Sequence, residues 1–200
     1  MKNEKRQPQQ ERSIEKKNKI INASYELFSE VGYYGTNTAE IAKKAGVSTG
    51  IVYGYFRDKR DILISVLNIY IEKAFAPLFR MIDKLSAPID IEMFVTQFIE
   101  IIIKSHKNNA KMHEALHSLT STDEAVNNEF MLIEDQLTIN ITEKLSVLGI
   151  NIKNDTERVH LALGIVQNFA HEVIFDKHDY IDYDIMKDLV KTILINLFNN

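Results

Sequence analysis

The 200-residue chain has no cysteine, which removes disulfide frameworks, cysteine-ligated zinc sites and thiol nucleophiles together. Glycine and proline are scarce, at 7 and 3 residues. With so few punctuation points, long regular elements are favoured over a many-turned β-sandwich. The N-terminal stretch MKNEKRQPQQERSIEKKNK lacks the apolar segment of a signal peptide, and no run approaches the length of a membrane span. The expectation is a soluble cytoplasmic protein with no membrane partner. What the chain does have is 45% apolar and 26% charged residues, a balance suited to one or two globular domains with a sizeable core. The predicted fold class is all-α.

Charge is unevenly distributed. Residues 1–60 carry 12 Lys+Arg against 7 Asp+Glu, whereas the other 140 residues carry 12 against 21, for a net charge of −4. A small basic module attached to an acidic one is the pattern expected when the basic part meets phosphate. Residues 1–12 read as a flexible basic and polar tail. Lys16, Lys17 and Lys19 differ from it because they lead directly into a helix.

In that helix Ile20, Ala23, Ser24, Leu27, Phe28 and Val31 recur at three- and four-residue steps and form one apolar stripe. Gly32 stops it. Thr36 and Asn37 are candidate N-caps of a second, short helix; Glu40 stands in capping-box register with Asn37, and Ile41, Ala42 and Ala45 face inward. Gly46 ends this helix, Val47 fills the corner, and Ser48 is placed to cap a third helix running to about Phe56. Helix, glycine turn and helix within some twenty residues is the helix-turn-helix pattern, whose second helix can enter a major groove. Along GVSTGIVYGYF (residues 46–56) a 100° step puts Ser48, Val52, Tyr55 and Phe56 on one side and Thr49, Gly50, Tyr53 and Gly54 on the other. The first side is core. The second carries two glycines that cost a helix about 1 kcal/mol each relative to alanine. Close backbone approach to another large body would account for them, with Thr49 and Tyr53 as the touching side chains; a frayed turn with incidental glycines is the blander alternative.

The stretch Ile21-x-Ala23-x-x-x-Leu27-Phe28-x-x-x-Gly32-x-x-x-Thr36-x-x-x-x-Ile41-Ala42-x-x-Ala45-Gly46-Val47-Ser48-x-Gly50-x-x-Tyr53-x-Tyr55-Phe56-x-x-Lys59-x-x-Leu63 resembles the DNA-binding domain of the tetracycline-repressor (TetR) family. The resemblance covers about residues 13–63. It implies a bacterial, homodimeric transcription regulator, usually a repressor, with a helix-turn-helix domain over 13–60. A larger helical effector-binding and dimerisation domain would occupy 61–200, and a small molecule bound there would release a double-stranded DNA operator. By the same resemblance Thr49, Gly50 and Tyr53 would meet base edges and thymine methyls. Thr36, Thr38, Ser48, Tyr55 and Lys59 would hold phosphates. Two positions depart from the family: Ala39 replaces a base-reading polar side chain of some relatives, and Gly54 replaces a bulky phosphate-contacting residue of many. Sequence preference would then lean on DNA shape and thymine contacts. No reaction, cofactor or metal is expected.

Beyond Lys59 the pattern is a series of longer helices. Ile62, Leu63, Val66 and Tyr70 give the fourth its inner face, and Pro77 either kinks it or begins a successor. Pro88 and Asp90 precede an amphipathic element with Phe94, Phe98 and Ile102. Residues 109–119 form a short helix, 124–148 a long one stopped by Gly149, and Asn154 with Glu157 makes a second candidate capping box. In the last two helices, 156–175 and Tyr183–Phe198, the rows Ile185, Leu189, Ile193, Leu197 and Met186, Val190, Leu194, Phe198 give an apolar face broad enough for both intrachain and interchain cover. Ala162, Gly164 and Ala170 would admit a close neighbour. The helices either complete one protomer's core or, as the resemblance implies, build the homodimer.

His113-Glu114-Ala115-Leu116-His117 matches H-E-x-x-H, two imidazoles one turn apart with a glutamate base, and raises a zinc metalloprotease as the alternative function. The extended form of that motif fails at Thr120 and Asp123, although Glu134 or Glu143 remains open as a third ligand. The plainer readings are surface histidines or histidines lining the effector pocket. Candidate pocket residues are Phe98, Met112, His113, His117, Phe130 and Phe169. They suit an apolar or aromatic effector, and at helical spacing they equally suit a core.

Overall fold

The computed structural model describes residues 9–199. Among the described residues there are nine α-helices and no strand: α1 (Gln9–Val31), α2 (Thr38–Ala45), α3 (Thr49–Tyr55), α4 (Lys59–Asp83), α5 (Ile91–Asn108), α6 (Ala110–His117), α7 (Glu124–Val147), α8 (Asp155–Phe175) and α9 (Tyr183–Phe198). The expected tail at 1–12 lies outside the described residues up to position 8. Its last four residues are already helical, so α1 begins earlier than the apolar stripe indicates.

Two compact units divide the chain, one ending at Tyr70 and also including Lys111–Leu119, the other built from Ile71–Ala110 and the residues from Thr120 onward. This division differs from the expected 60/61 boundary for a physical reason. Ile62, Leu63, Val66, Leu67 and Tyr70 of α4 are all buried. Tyr70 also shares a hydrogen bond with His113 Nδ1 at 2.7 Å, and the Lys111 ammonium donates to the Glu30 carbonyl. The N-terminal unit therefore holds more chain than its motif.

In the first unit α1 buries Ile20, Ala23, Ser24 and Phe28 of its stripe, half-buries Leu27 and leaves Val31 exposed. Burial of side chains as large as Ile20 and Phe28 stabilises by about 1.5–3 kcal/mol each. Ser24 satisfies its hydroxyl by donating to the Ile20 carbonyl at 2.7 Å. α2 packs against α1 and α3, and its ends are those the sequence specifies. Asn37 Oδ1 accepts from the Ala39 and Glu40 N–H groups, and Glu40 Oε2 accepts in return from the Asn37 N–H at 2.9 Å, a complete capping box. At the other end Gly46 takes φ 69°, a left-handed conformation that a Cβ would penalise. Gly35 has a different cause: a Cβ there would stand 2.9 Å from the Val31 carbonyl oxygen.

α4 is a single 25-residue helix with Pro77 inside it, so Pro77 starts no new element. Its most apolar 18-residue window has a mean hydropathy of 1.6. Contrary to the sequence expectation, one helix among the described residues is thus long and apolar enough by those measures to cross a membrane. The hydropathy averages over faces, and the apolar face of this helix is packed as core.

The second unit packs α5 against α8 and α9, and α8 against α7 and α9. Asp90 and Asp123 cap α5 and α7. The expected capping box at Asn154 does not form. Asn154 sits at φ 57°, ψ 44° and makes no side-chain cap, because the left-handed backbone turns its amide away from the N–H groups that an extended N-cap residue reaches.

Candidate nucleic-acid interface

The outward face of α3 is built by its two ends. Ser48 Oγ accepts from the Ile51 N–H at 3.4 Å and opens the helix; Phe56 closes it and is buried. Val52, fully buried, pins the inner side. Thr49 is half-buried, Gly50 and Gly54 are exposed, and Tyr53 is 54% exposed. These four share one face, as the helical step predicts. A Cβ built on Gly54 meets nothing within 4 Å, and one on Gly50 meets only Ser48 Oγ at 4.0 Å. Nothing inside the protein requires either glycine.

Hydroxyls lock this face in place. Tyr53 OH lies 3.0 Å from Thr38 Oγ1 in the first turn of α2. Tyr55 OH lies 3.1 Å from Ser13 Oγ near the start of α1. The Ser13 contact has no sequence signal, since the partners are 42 residues apart.

Two of the expected phosphate contacts have their polar groups turned inward. Thr36 is buried and donates to the Gly32 carbonyl at 2.9 Å. The Lys59 ammonium donates to the Tyr33 and Thr36 carbonyls at 2.8 Å each and stands 4.3 Å from the Tyr33 ring centroid. Burial lowers the pKa of Lys59 from the ordinary lysine value. Desolvation, with Asp58 nearby, raises that of Tyr33. Lys59 thus clamps the 33–36 turn that leads into α2.

Several cations of the basic module are neutralised locally. Lys44 bridges Glu26 and Glu30 at 3.1 and 3.2 Å, Arg57 pairs with Asp61 at 2.8 Å, and Lys19 with Glu15 at 2.8 Å. Lys17 lies 5.8 Å from the centre of the Phe56 ring. Lys16 on α1 and Lys43 in the last turn of α2 are exposed cations with no ion pair among the described residues. The sequence set Lys16 apart from the tail together with Lys17 and Lys19; Lys43 had no such signal.

The H-E-x-x-H stretch occupies α6. His113 is buried against Tyr70, Glu114 and His117 are exposed, and the two imidazole centroids are 5.5 Å apart. Among the described residues no three His, Asp or Glu side chains come together as metal ligands. The six pocket candidates fall into different places. Met112, His113 and His117 belong to the first unit; Phe98 and Phe169 are core of the second, and Phe130 is half-buried on α7. Phe98 borders a void of only about 10 Å³.

Residues 20–66 match the family model of bacterial regulatory proteins, tetR family. The chain is 42% identical over 76 residues to the HTH-type transcriptional regulator HbdR of Aromatoleum sp. (strain CIB), covering 38% of this chain and 33% of that protein. It is 31% identical over 136 residues to the uncharacterized HTH-type transcriptional regulator YuxN of Bacillus subtilis (strain 168), covering 68% and 46%. The chain therefore spans less than half the length of either relative. A tetR-family transcriptional regulator from Mesorhizobium loti shares the fold over 94% of this chain and 96% of its own, with a TM-score of 0.72 at 19% identity. The capped helix-turn-helix lies inside the matched residues, so residues 20–66 carry the DNA-binding domain of the tetR family of bacterial regulatory proteins, and the all-helical fold is shared almost end to end with the Mesorhizobium loti protein.

Proposed function

We propose that the protein is a cytoplasmic, ligand-responsive transcriptional repressor that binds a palindromic operator as a homodimer and leaves it when a small molecule binds the C-terminal helices. The observation that carries the DNA-binding part is the open face of α3. Two glycines cost the helix stability, and no neighbouring atom of the protein needs them. A duplex whose bases must approach the helix backbone does need them. In this reading Thr49, Gly50, Tyr53 and Gly54 form the groove-facing surface. Thr38, Ser48 and Tyr55 border the phosphates together with Lys16 and Lys43, while Lys59 and Thr36 position the turn behind them.

The dimer reading rests on α9. Its row Met186, Val190, Leu194, Phe198 faces inward, whereas Ile185, Leu189 and Ile193 are 60%, 60% and 49% exposed. On α8, which packs against α9, Leu161 and Gly164 are exposed too, and a Cβ on Gly164 would meet nothing within 4 Å. A second copy covering these residues would form a four-helix interface with close backbone approach at Gly164. The effector is expected to be apolar or aromatic, and no cofactor takes part.

The test is selection of DNA fragments by the purified protein, followed by binding at several salt concentrations. An inverted repeat with half-sites about 34–36 Å apart and a steep fall of affinity with salt are expected. Selected fragments without symmetry, bound equally well at low and moderate salt, would overturn the proposal.

A further inference from the structure

In the second unit, residues 84–90 connect the end of α4 to the start of α5. Ser105 Oγ donates to the Ala74 carbonyl at 2.8 Å and ties the two helices. Between that tie and the connecting residues lies an open groove of about 600 Å³, within the range of small-molecule sites. α4 lines it with Pro77, Arg80 and Met81, and Lys84 follows one turn later; these residues stand at i, i+3, i+4 and i+7. α5 contributes Met93, Phe94, Gln97, Ile101 and Lys104 from its facing row.

The groove has an apolar floor and a cationic rim. Met81 and Phe94 are buried beneath it, while Met93 lies 54% exposed at its wall. Two carboxylates border it, and both are engaged elsewhere. Asp90 accepts from the Met93 N–H at 2.9 Å as the N-cap of α5, and Glu100 lies 3.5 Å from the Lys187 ammonium. Arg80, Lys84 and Lys104 are exposed and, among the described residues, form no ion pair or side-chain hydrogen bond. The unbalanced charge at the groove is therefore positive, within an otherwise acidic part of the chain.

We propose that this groove binds an amphipathic anion, a carboxylate or phosphate head on an aliphatic chain, with the chain over Met81, Met93 and Phe94 and the head among Arg80, Lys84 and Lys104. A neutral ligand would leave the three cations uncompensated. A polar anion would leave the apolar floor wet. None of the six side chains expected to line the effector pocket belongs to this groove.

The experiment is calorimetric titration of the full chain, without DNA, with four ten-carbon probes below their micellar concentrations: decanoate, decyl phosphate, decanol and decyltrimethylammonium. Saturable one-site binding is expected for at least one of the two anions, at least tenfold tighter than for decanol and undetectable for the cation. The tighter of the two anions identifies the head group as carboxylate or phosphate. The triple variant Arg80→Gln, Lys84→Gln, Lys104→Gln removes only exposed charge. Since each exposed ion pair changes affinity by a few-fold, it should bind the anion about tenfold more weakly while decanol binding is unchanged. Circular dichroism confirms that the variant is folded. Equal affinity for decanol and the anions, absence of saturable binding of either anion, or an unaffected triple variant would each overturn the proposal. Because no operator is present, failure here leaves the DNA-binding reading where it stood.

Discussion

Replacing Gly54 by alanine should make the protein more stable and worse at its work. Gly54 is exposed in the last turn of α3, and its Cβ would meet no atom within 4 Å. Its backbone is in the helical region that any residue adopts, so alanine enters without strain and reduces the conformational freedom of the unfolded chain. The expected gain is about 0.5–1 kcal/mol. For a chain of this size that raises the melting temperature by roughly 1–4 °C. On DNA the sign reverses. If the helix backbone lies against base edges at Gly50 and Gly54, a methyl group at either position separates the surfaces. Operator affinity should then fall at least tenfold, about 1.4 kcal/mol. Calorimetric melting and fluorescence anisotropy with a labelled operator, at one fixed salt concentration, measure the two effects on the same preparation. A variant that is more stable and binds as tightly as the parent would show that this face does not meet DNA. A less stable variant would refute the assignment of open space.

The remaining expectations concern particular contacts. Lys59→Ala removes the donor to two carbonyls and should cost about 1.5–3 kcal/mol in urea unfolding. It should also weaken operator binding, whereas Tyr53→Ala should leave the fold intact and relax preference at particular bases in a mutated-operator series. Tyr70→Phe deletes the buried bond to His113 and should destabilise by about 1–3 kcal/mol; an unchanged unfolding midpoint would remove that bond from the account. Leu189→Asp places a charge on the exposed row of α9 and should yield a folded monomer by light scattering, while Val190→Asp on the buried row should unfold the chain. The Arg57 guanidinium, by hydrogen bonding and charge, holds the Asp61 carboxyl at about 2 rather than 3.8. Its folded pKa lies below the unfolded one, so its contribution to stability is complete above pH 3.8 and is lost as pH falls toward 2. Carboxyl NMR titration should show that low value and its return toward normal in Arg57→Ala.

The fold was legible wherever one residue type does one local job. Gly46, Asn37 with Glu40, Ser48 and Asp90 mark helix ends through chemistry confined to four residues, and those ends lie where the sequence puts them. Asn154 shows the limit of this logic. The same residue type and the same spacing to a glutamate give no cap when the backbone is left-handed, and a backbone angle is set by the whole turn rather than by composition. Periodicity likewise located the stripe of α1 but not its end, since whether Val31 is covered depends on what passes over it. The unit boundary inside α4 was hidden for the same reason: the helix continues unbroken, and only the positions of Tyr70 and α6 show which unit its first half packs with.

At the candidate DNA interface, sequence and structure divide the work along chemical lines. A helical step depends on position alone, so the shared outward face of Thr49, Gly50 and Gly54 was legible in the sequence. A lysine or a buried hydroxyl has many uses, and which one operates depends on partners that no local pattern names. Lys59 reaches carbonyls 26 and 23 residues earlier in the chain. Thr36 accordingly contributes its carbonyl to Lys59 and its hydroxyl to Gly32. The consequence is mechanical. The ammonium that resemblance assigns to a phosphate sets the turn from which α2 begins, and α2 in turn holds Tyr53 through Thr38. A phosphate drawn to the remaining N–H of Lys59 would therefore bear on the orientation of α3 as well as on affinity, which joins backbone contact and base reading in one side chain.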